Sequence, residues 1–226
     1  MRTAPWSENV SVLDRLTAIL DAFATADADD LDEGLSVTEL ARRARLPKST
    51  ASRITAELAA EGYLDRIGGR LHLGLRFYEL GQSAERPRRL RRAAWRPVTA
   101  LREATASTVL LVVPAESDVV VIARARGVGP SPVAQIGTRV PRTGTSLGVA
   151  IDLALRSPAP ASAAVDDIAV FAVGHGAELC VCAPVHDADE PVAAICAIAP
   201  AEGADPARLA GSVRAAAAAT RDRLPG

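Results

Sequence analysis

The sequence predicts an α+β protein in two parts. A small N-terminal helical domain ends in a β-hairpin, and a linker helix joins it to a larger C-terminal α/β domain with a mainly antiparallel sheet. Three observations carry this expectation. Apolar residues recur at helical spacing through the N-terminal third, two short runs flank Gly68 and Gly69, and β-rich apolar runs dominate the second half. A chain of 226 residues that is 49% hydrophobic can bury two modest cores. The expected boundaries are 1–74 for the first domain, 75–86 for the linker helix and 87–226 for the second domain.

Leu13, Leu16, Leu20 and Phe23 define an amphipathic first helix, and the acidic stretch ADADDLDEG after it reads as a loop. Ser36 with Glu39 matches a capping box, opening a short second helix carried by Leu40, Ala41 and Ala44. Leu46 and Pro47 make a turn. Pro47 suits the first position of a third helix, where its missing N–H costs nothing, and that helix is expected to run to about Glu61 before Gly62 stops it. Within it Ala51, Ile54, Leu58 and Ala59 share one side, whereas Lys48, Ser49, Ser52, Arg53 and Ala56 share the other. The segment YLDRIGGRLHLGLRFYEL then reads as a tight hairpin with Arg66 and Arg70 at its tip. Helix, tight turn, helix and hairpin together spell a winged helix-turn-helix.

In the second half VLLVV, VVVIARA, LCVCAPV and VAAICAIA read as strands, and residues 145–155 and 206–224 as helices. The pattern is that of an α/β sensor module. Small-molecule sites in such modules are concave and mostly apolar, with a few polar groups for orientation. The helix start at Thr145, Ser146 and Leu147 is a candidate seat for an anion.

Charge is distributed unevenly. Residues 1–35 carry two basic and eight acidic side chains, residues 36–96 carry fourteen and six, and residues 97–226 carry ten and thirteen. All the basic excess therefore lies in one stretch, which suits a polyanionic partner because neutralised phosphates release counterions. On the third helix, short hydroxyls and an alanine permit close approach to a surface, while Lys48 and Arg53 supply charge. That combination fits a major groove, and arginines on a wing reach the minor groove or its phosphates. The same residues admit plainer roles, Ser49 as a first-turn cap and Arg53 as the i, i+4 partner of Glu57.

Other function classes find less support. No run of eighteen apolar residues exists, and MRTAPWSENV lacks the basic start and apolar centre of a signal peptide, so a cytoplasmic protein with no membrane partner is expected. Cys180, Cys182 and Cys196, odd in number and confined to one segment, read as thiols rather than a disulfide framework. Cys-x-Cys in a strand points both thiols to one face, without the turn of a metal-binding Cys-x-x-Cys, and no second ligand pair follows. The chain has no P-loop, G-x-S-x-G, H-E-x-x-H or G-x-G-x-x-G. No enzyme, catalytic residue, metal or cofactor is expected; a thiol-based redox sensor stands as one alternative.

The string LSVTELARRARLPKSTASRITAELAAEGYL, with the hairpin and LGLRFYELG after it, resembles the IclR-type bacterial transcription regulators over residues 10–82. A looser resemblance, to that family's GAF-like effector-binding domain, runs from RPRRLRRAAWRPVTALREATASTVLLVV through QIGTRVPRTGTSLGVAIDLAL to CAPVHDADEPVAAICAIAP. The resemblance implies a DNA-binding transcription regulator controlled by a small metabolite. The residues expected at the DNA are Ser36, Thr38, Pro47, Lys48, Ser49, Thr50, Ser52, Arg53, Arg66 and Arg70. Those expected at the effector are Thr145, Ser146, Leu147, Cys180, Cys182, Cys196 and Ile198. Thr145 and Ser146 also suit helix caps, and the cysteines also suit small strand hydrophobes.

The chain departs from the family pattern between Leu155 and Phe171, where only RSPAPASAAVDDIAV stands in place of a longer segment, and FAVGHGAELC lacks the customary acidic run. One wall of the usual pocket is therefore expected to be missing, with His175 a candidate for its polar group. The expected partners are double-stranded DNA with a pseudo-palindromic operator, a small organic acid or compact aromatic effector, and a second copy in a homodimer or dimer of dimers. The alternative is a DNA-binding interaction protein with a degenerate, ligand-free sensor domain.

Overall fold

A computed structural model describes residues 11–128, 135–144, 146–156, 169–173 and 177–225. The chain divides into two compact units, Met1–Ala84 and Glu85–Gly226.

The first unit contains α1 (Val12–Ala24), α2 (Ala28–Glu33), α3 (Val37–Arg43), α4 (Lys48–Ala60), β1 (Leu64–Ile67), β2 (Arg70–Leu73) and α5 (Leu75–Ser83). Helix α1 turns Ile19, Ala22 and Phe23 inward, while Leu13 is 64% exposed, so its buried stripe is rotated from the one the leucines suggest. The acidic stretch is not a plain loop, because Asp27 caps α2 by accepting a hydrogen bond from the Asp30 N–H at 2.8 Å. The Ser36–Glu39 capping box forms as expected at the start of α3. Pro47 is the N-cap of α4 rather than its first residue, and α4 ends at Ala60.

Thr55, at 0% exposure, belongs to the inner side of α4 with Ala51 and Ile54, its hydroxyl donating to the Ser52 carbonyl at 3.1 Å. A core of Ile19, Phe23, Leu35, Leu40, Ile54, Leu64 and Leu71 holds the unit together. In the β1–β2 hairpin Gly68 and Gly69 both take positive φ, 58° and 83°, as the two central positions of a twisted hairpin turn require. Leu35 adds a bridge to Leu71 on the other side of β2, tying the wing to the body. Helix α5 is held at its start by the Gly74 N–H donating to the Tyr63 carbonyl at 2.8 Å, and by Phe77 packing edge-on against Tyr63.

The second unit contains α6 (Glu85–Thr105), β3 (Thr108–Ala115), β4 (Asp118–Ala125), β5 (Arg139–Pro141), α7 (Ser146–Arg156), β6 (Ala169–Val173), β7 (Glu178–Asp187), β8 (Glu190–Pro200) and α8 (Pro206–Arg221). The sheet order is β5-β4-β3-β8-β7-β6, and each adjacent pair is antiparallel. Both faces of the sheet are covered. Val109, Leu111, Val181, Ala183, Ile195 and Ala197 pack against α6 and α8, whereas Leu110, Val112, Cys180, Cys182, Cys196 and Ile198 lie on the side of α7. That is why VLLVV reads as an unbroken apolar run rather than an alternating one. The edge strand β5 spans only three residues, RVP, too short to be read in the sequence, whereas β6, AVFAV, is wholly apolar yet is not among the strands expected above.

Candidate functional site

Helix α4 places its residues as its spacing predicts. Lys48, Ser49, Ser52, Arg53 and Ala56 are exposed, while Ala51, Ile54 and Thr55 face the core and Thr50 is half-buried. Pro47 is exposed and brings no side-chain oxygen to cap the helix, and the first turn carries no acidic residue. The leading N–H groups of α4 are thus free of a side-chain cap at the end where Lys48 and Ser49 stand, a setting that favours phosphate oxygens. Arg53 does reach Glu57, at 3.9 Å, but the two side chains are 70% and 73% exposed. An ion pair so long and so hydrated restrains the guanidinium little.

The remaining residues expected at DNA divide into free and committed groups. Thr38 and Arg66 are exposed. Ser36 is occupied, its hydroxyl accepting from the Glu39 N–H at 3.2 Å and its own N–H donating to Glu39 Oε2 at 2.7 Å. These bonds to Ser36, with the charges of Arg70 and Arg43 added, hold the Glu39 carboxyl below its ordinary pKa despite some desolvation. Arg70 is committed too: Nε donates to the Gly34 carbonyl at 2.8 Å, and Nη2 lies 3.5 Å from Glu39 and 3.8 Å from Glu33. The two arginines that bracket the hairpin in sequence therefore differ in kind. The signal that could have revealed this was the acidic run just before Ser36.

In the second unit Cys180, Cys182, Cys196 and Ile198 are brought together in the buried face under α7 with Ile151, Ala154 and Leu155. Cys180 Sγ lies 3.6 Å from Cys182 Sγ, and Cys182 Sγ lies 2.9 Å from Cys196 Sγ. Burial pushes the Cys182 thiol well above its ordinary pKa, with the neighbouring thiols adding to the effect, and burial also raises the pKa of Cys196 although its hydrogen bond with Cys182 works the other way. Such thiols are poor nucleophiles and poor oxidation targets. Ser146 and Leu147 open α7. Thr145, His175, most of the 156–170 segment and the side chains of Ser146 and Leu147 lie outside the described residues.

Sequence reasoning missed one polar cluster on this face. Asp152 of α7, 14% exposed, accepts from Arg142 Nε and Arg156 Nε, each at 2.6 Å. Burial alone would raise its pKa, but these bonds and charges outweigh burial and hold the carboxyl below its ordinary value. The Asp152–Arg156 spacing was legible as i, i+4; the approach of Arg142 from the β5–α7 connection was not. Among the described residues no group of three or more His, Cys, Asp or Glu is placed to hold a metal, and no helix is long and apolar enough to cross a membrane.

A helix-turn-helix with a wing, an exposed polar face on its second helix, and a second unit of helices on both faces of an antiparallel sheet define a two-unit winged helix-turn-helix fold. Residues 12–68 match the family model of the IclR helix-turn-helix domain. The chain has the fold of the IclR-family transcription regulators. An IclR homolog from Microbacterium hydrocarbonoxydans, solved with 4-hydroxybenzoate, is similar at 23% identity and a TM-score of 0.80, covering 95% of this chain and 99% of its own. HmgR from Pseudomonas aeruginosa is similar at 22% identity and a TM-score of 0.71, covering 96% and 100%. The IclR protein of Thermotoga maritima is similar at 19% identity and a TM-score of 0.65, covering 94% and 98%. No curated protein matches the chain.

Proposed function

We propose that this protein is a cytoplasmic, sequence-specific DNA-binding regulator in which α4 enters the major groove and a small effector acts through the second unit. The observation that carries the reading is the exposed face of Lys48, Ser49, Ser52, Arg53 and Ala56 on a helix whose opposite side is anchored by buried Ala51, Ile54 and Thr55. Short side chains let the helix backbone approach base edges, Arg53 can make a bidentate base contact, and Lys48 beside the helix start can neutralise a phosphate. Thr38 and Arg66 supply further contacts from α3 and the wing. Ser36 supports the surface by capping α3, and Arg70 supports it by holding the wing.

One winged helix offers few contacts, so a homodimer or dimer of dimers on a pseudo-palindromic operator is the working form. The 4-hydroxybenzoate held by the Microbacterium relative supports a compact aromatic acid as effector. The start of α7, near Thr145, Ser146 and Leu147, would receive the carboxylate, with the cysteine-bearing strands β7 and β8 beside it. Control then follows from a difference in ligand affinity between two arrangements of the dimer. Burial of Cys182 and Cys196 speaks against the thiol redox sensor.

Genome-wide mapping of the sites bound by the protein tests the reading. Discrete pseudo-palindromic sites, with half-sites about one helical turn or a multiple apart, are expected. Uniform occupancy without a shared motif would reduce the protein to a non-specific DNA binder.

A further inference from the structure

Helix α6 carries a cationic face that the regulator reading leaves unused. Its 21 residues hold seven arginines against Glu85 and Glu103. Leu90, Ala94, Val98 and Leu101 are buried in the core with the sheet and α8, which fixes the opposite side outward. There Arg88, Arg92 and Arg96 are exposed at i, i+4 spacing, and none forms an ion pair among the described residues. Like charges so close repel one another, a cost that an anion would remove. Trp95 stands among them, 67% exposed.

Beside this face lies a groove of about 630 Å³ between α6 and the segment after α8, lined by Arg89, Arg92, Trp95, Arg96 and Arg223. No carboxylate lines it among the described residues. Arg89 is anchored, donating to the Pro225 carbonyl at 2.8 Å and lying 3.7 Å from Asp187, while its buried Nε has no hydrogen-bond partner. The volume falls within the usual range of small-molecule sites.

We infer that this groove binds a nucleoside polyphosphate. Four guanidiniums without a lining carboxylate match a multiply charged phosphate chain, because the planar fork of arginine pairs with two phosphate oxygens at once. A tryptophan standing mostly in water beside them supplies a face on which a base stacks. A simple anion would leave the indole uncovered. A concave groove flanked by the chain after α8 suits a compact ligand better than it suits the convex backbone of a duplex.

The test uses the full chain with Trp6→Phe, which leaves Trp95 as its single indole, titrated with ATP, inorganic triphosphate and adenosine. ATP is expected to quench Trp95 saturably. Triphosphate should compete but bind about tenfold more weakly, and adenosine should bind more weakly still. Arg92→Ala with Arg96→Ala, both exposed and so expected to fold, should weaken ATP about tenfold or more while circular dichroism stays unchanged. In a calorimetric titration Trp95→Ala should weaken ATP and leave triphosphate affinity unaltered. Absence of ATP binding at millimolar concentration overturns the inference, as does equal affinity for ATP and triphosphate, which would leave only an anion patch. If the double arginine variant loses affinity for random-sequence duplex DNA but not for ATP, the face belongs to nucleic acid and the inference fails.

Discussion

Arg70 Nε donates a hydrogen bond to the carbonyl oxygen of Gly34 at 2.8 Å, fastening the second strand of the wing to the chain that leads into α3. Gly34 sits at φ 79°, where a Cβ would come within 2.5 Å of the His72 ring of the same strand. The wing is thus pinned by a side chain on one residue and by the lack of one on the other.

Arg70→Ala should therefore lower stability, by about 1 kcal/mol for a charged hydrogen bond at a half-exposed position, and weaken DNA binding through a loosened wing. Arg66→Ala should weaken DNA binding alone. Urea unfolding and a gel-shift titration separate the two, and identical unfolding curves for Arg70→Ala and wild type would remove the structural role argued for Arg70.

Arg53→Ala should cost about 1–3 kcal/mol of operator affinity and relax preference at one base position. Loss of the Glu57 contact contributes little, since both side chains are mostly in water. Lys48→Ala should weaken specific and random DNA alike and flatten the salt dependence. The measurement is affinity against salt on both sequences; an unchanged slope for Lys48→Ala contradicts the phosphate contact.

The first unit exposes Val12 and Leu13 on α1 and Leu75, Tyr78 and Leu80 on α5. Phe23 is 2% exposed and Leu16 and Leu20 are half-buried, so the exposed apolar side chains of α1 lie toward its start. Exposed apolar side chains on α1 and α5 fit a dimer interface. Light scattering at micromolar concentration should give a dimer or larger, and Leu13→Glu with Tyr78→Glu should yield monomers. A wild-type monomer that binds its operator undiminished would end this reading.

Asp152 carries a pH prediction. Its folded-state pKa lies below the ordinary 3.8, so its stabilisation is fully present above that value and fades as pH falls through the folded one. Asp152→Asn should cost about 1–2 kcal/mol at neutral pH, since Arg142 and Arg156 lose a charged acceptor. The gap should shrink as pH falls below 3.8 through the folded-state pKa, where the parent carboxyl also becomes neutral. Urea unfolding of both proteins across that range checks it, and a gap independent of pH would mean that Asp152 acts by shape alone.

Ser146→Phe should abolish a response to 4-hydroxybenzoate, read as a thermal shift, and leave ligand-free DNA binding near normal, because a bulky ring at the start of α7 would occupy the place argued for the carboxylate. A variant that still shifts with unchanged affinity would locate the effector elsewhere.

Local chemistry was enough for much of this protein. The Ser36–Glu39 box, the Gly68–Gly69 hairpin and the two sides of α4 follow from interactions within a few residues, and so they were legible in the sequence. The apolar runs at 109–113 and 192–199 announced buried strands because helices cover both faces of the sheet there. What tertiary structure alone decided involves partners far apart in the chain. Only the acidic run before Ser36, far from Arg70 in sequence, hints at its partners Gly34, Glu33 and Glu39, and nothing near Asp152 announces Arg142; these pairs exist because the fold brings separate segments together. The rotation of α1, with Ile19 and Phe23 inward and Leu13 outward, was likewise set by which of several apolar residues the core could accommodate. Periodicity states that a helix has an apolar side. Only packing states which part of that side is covered.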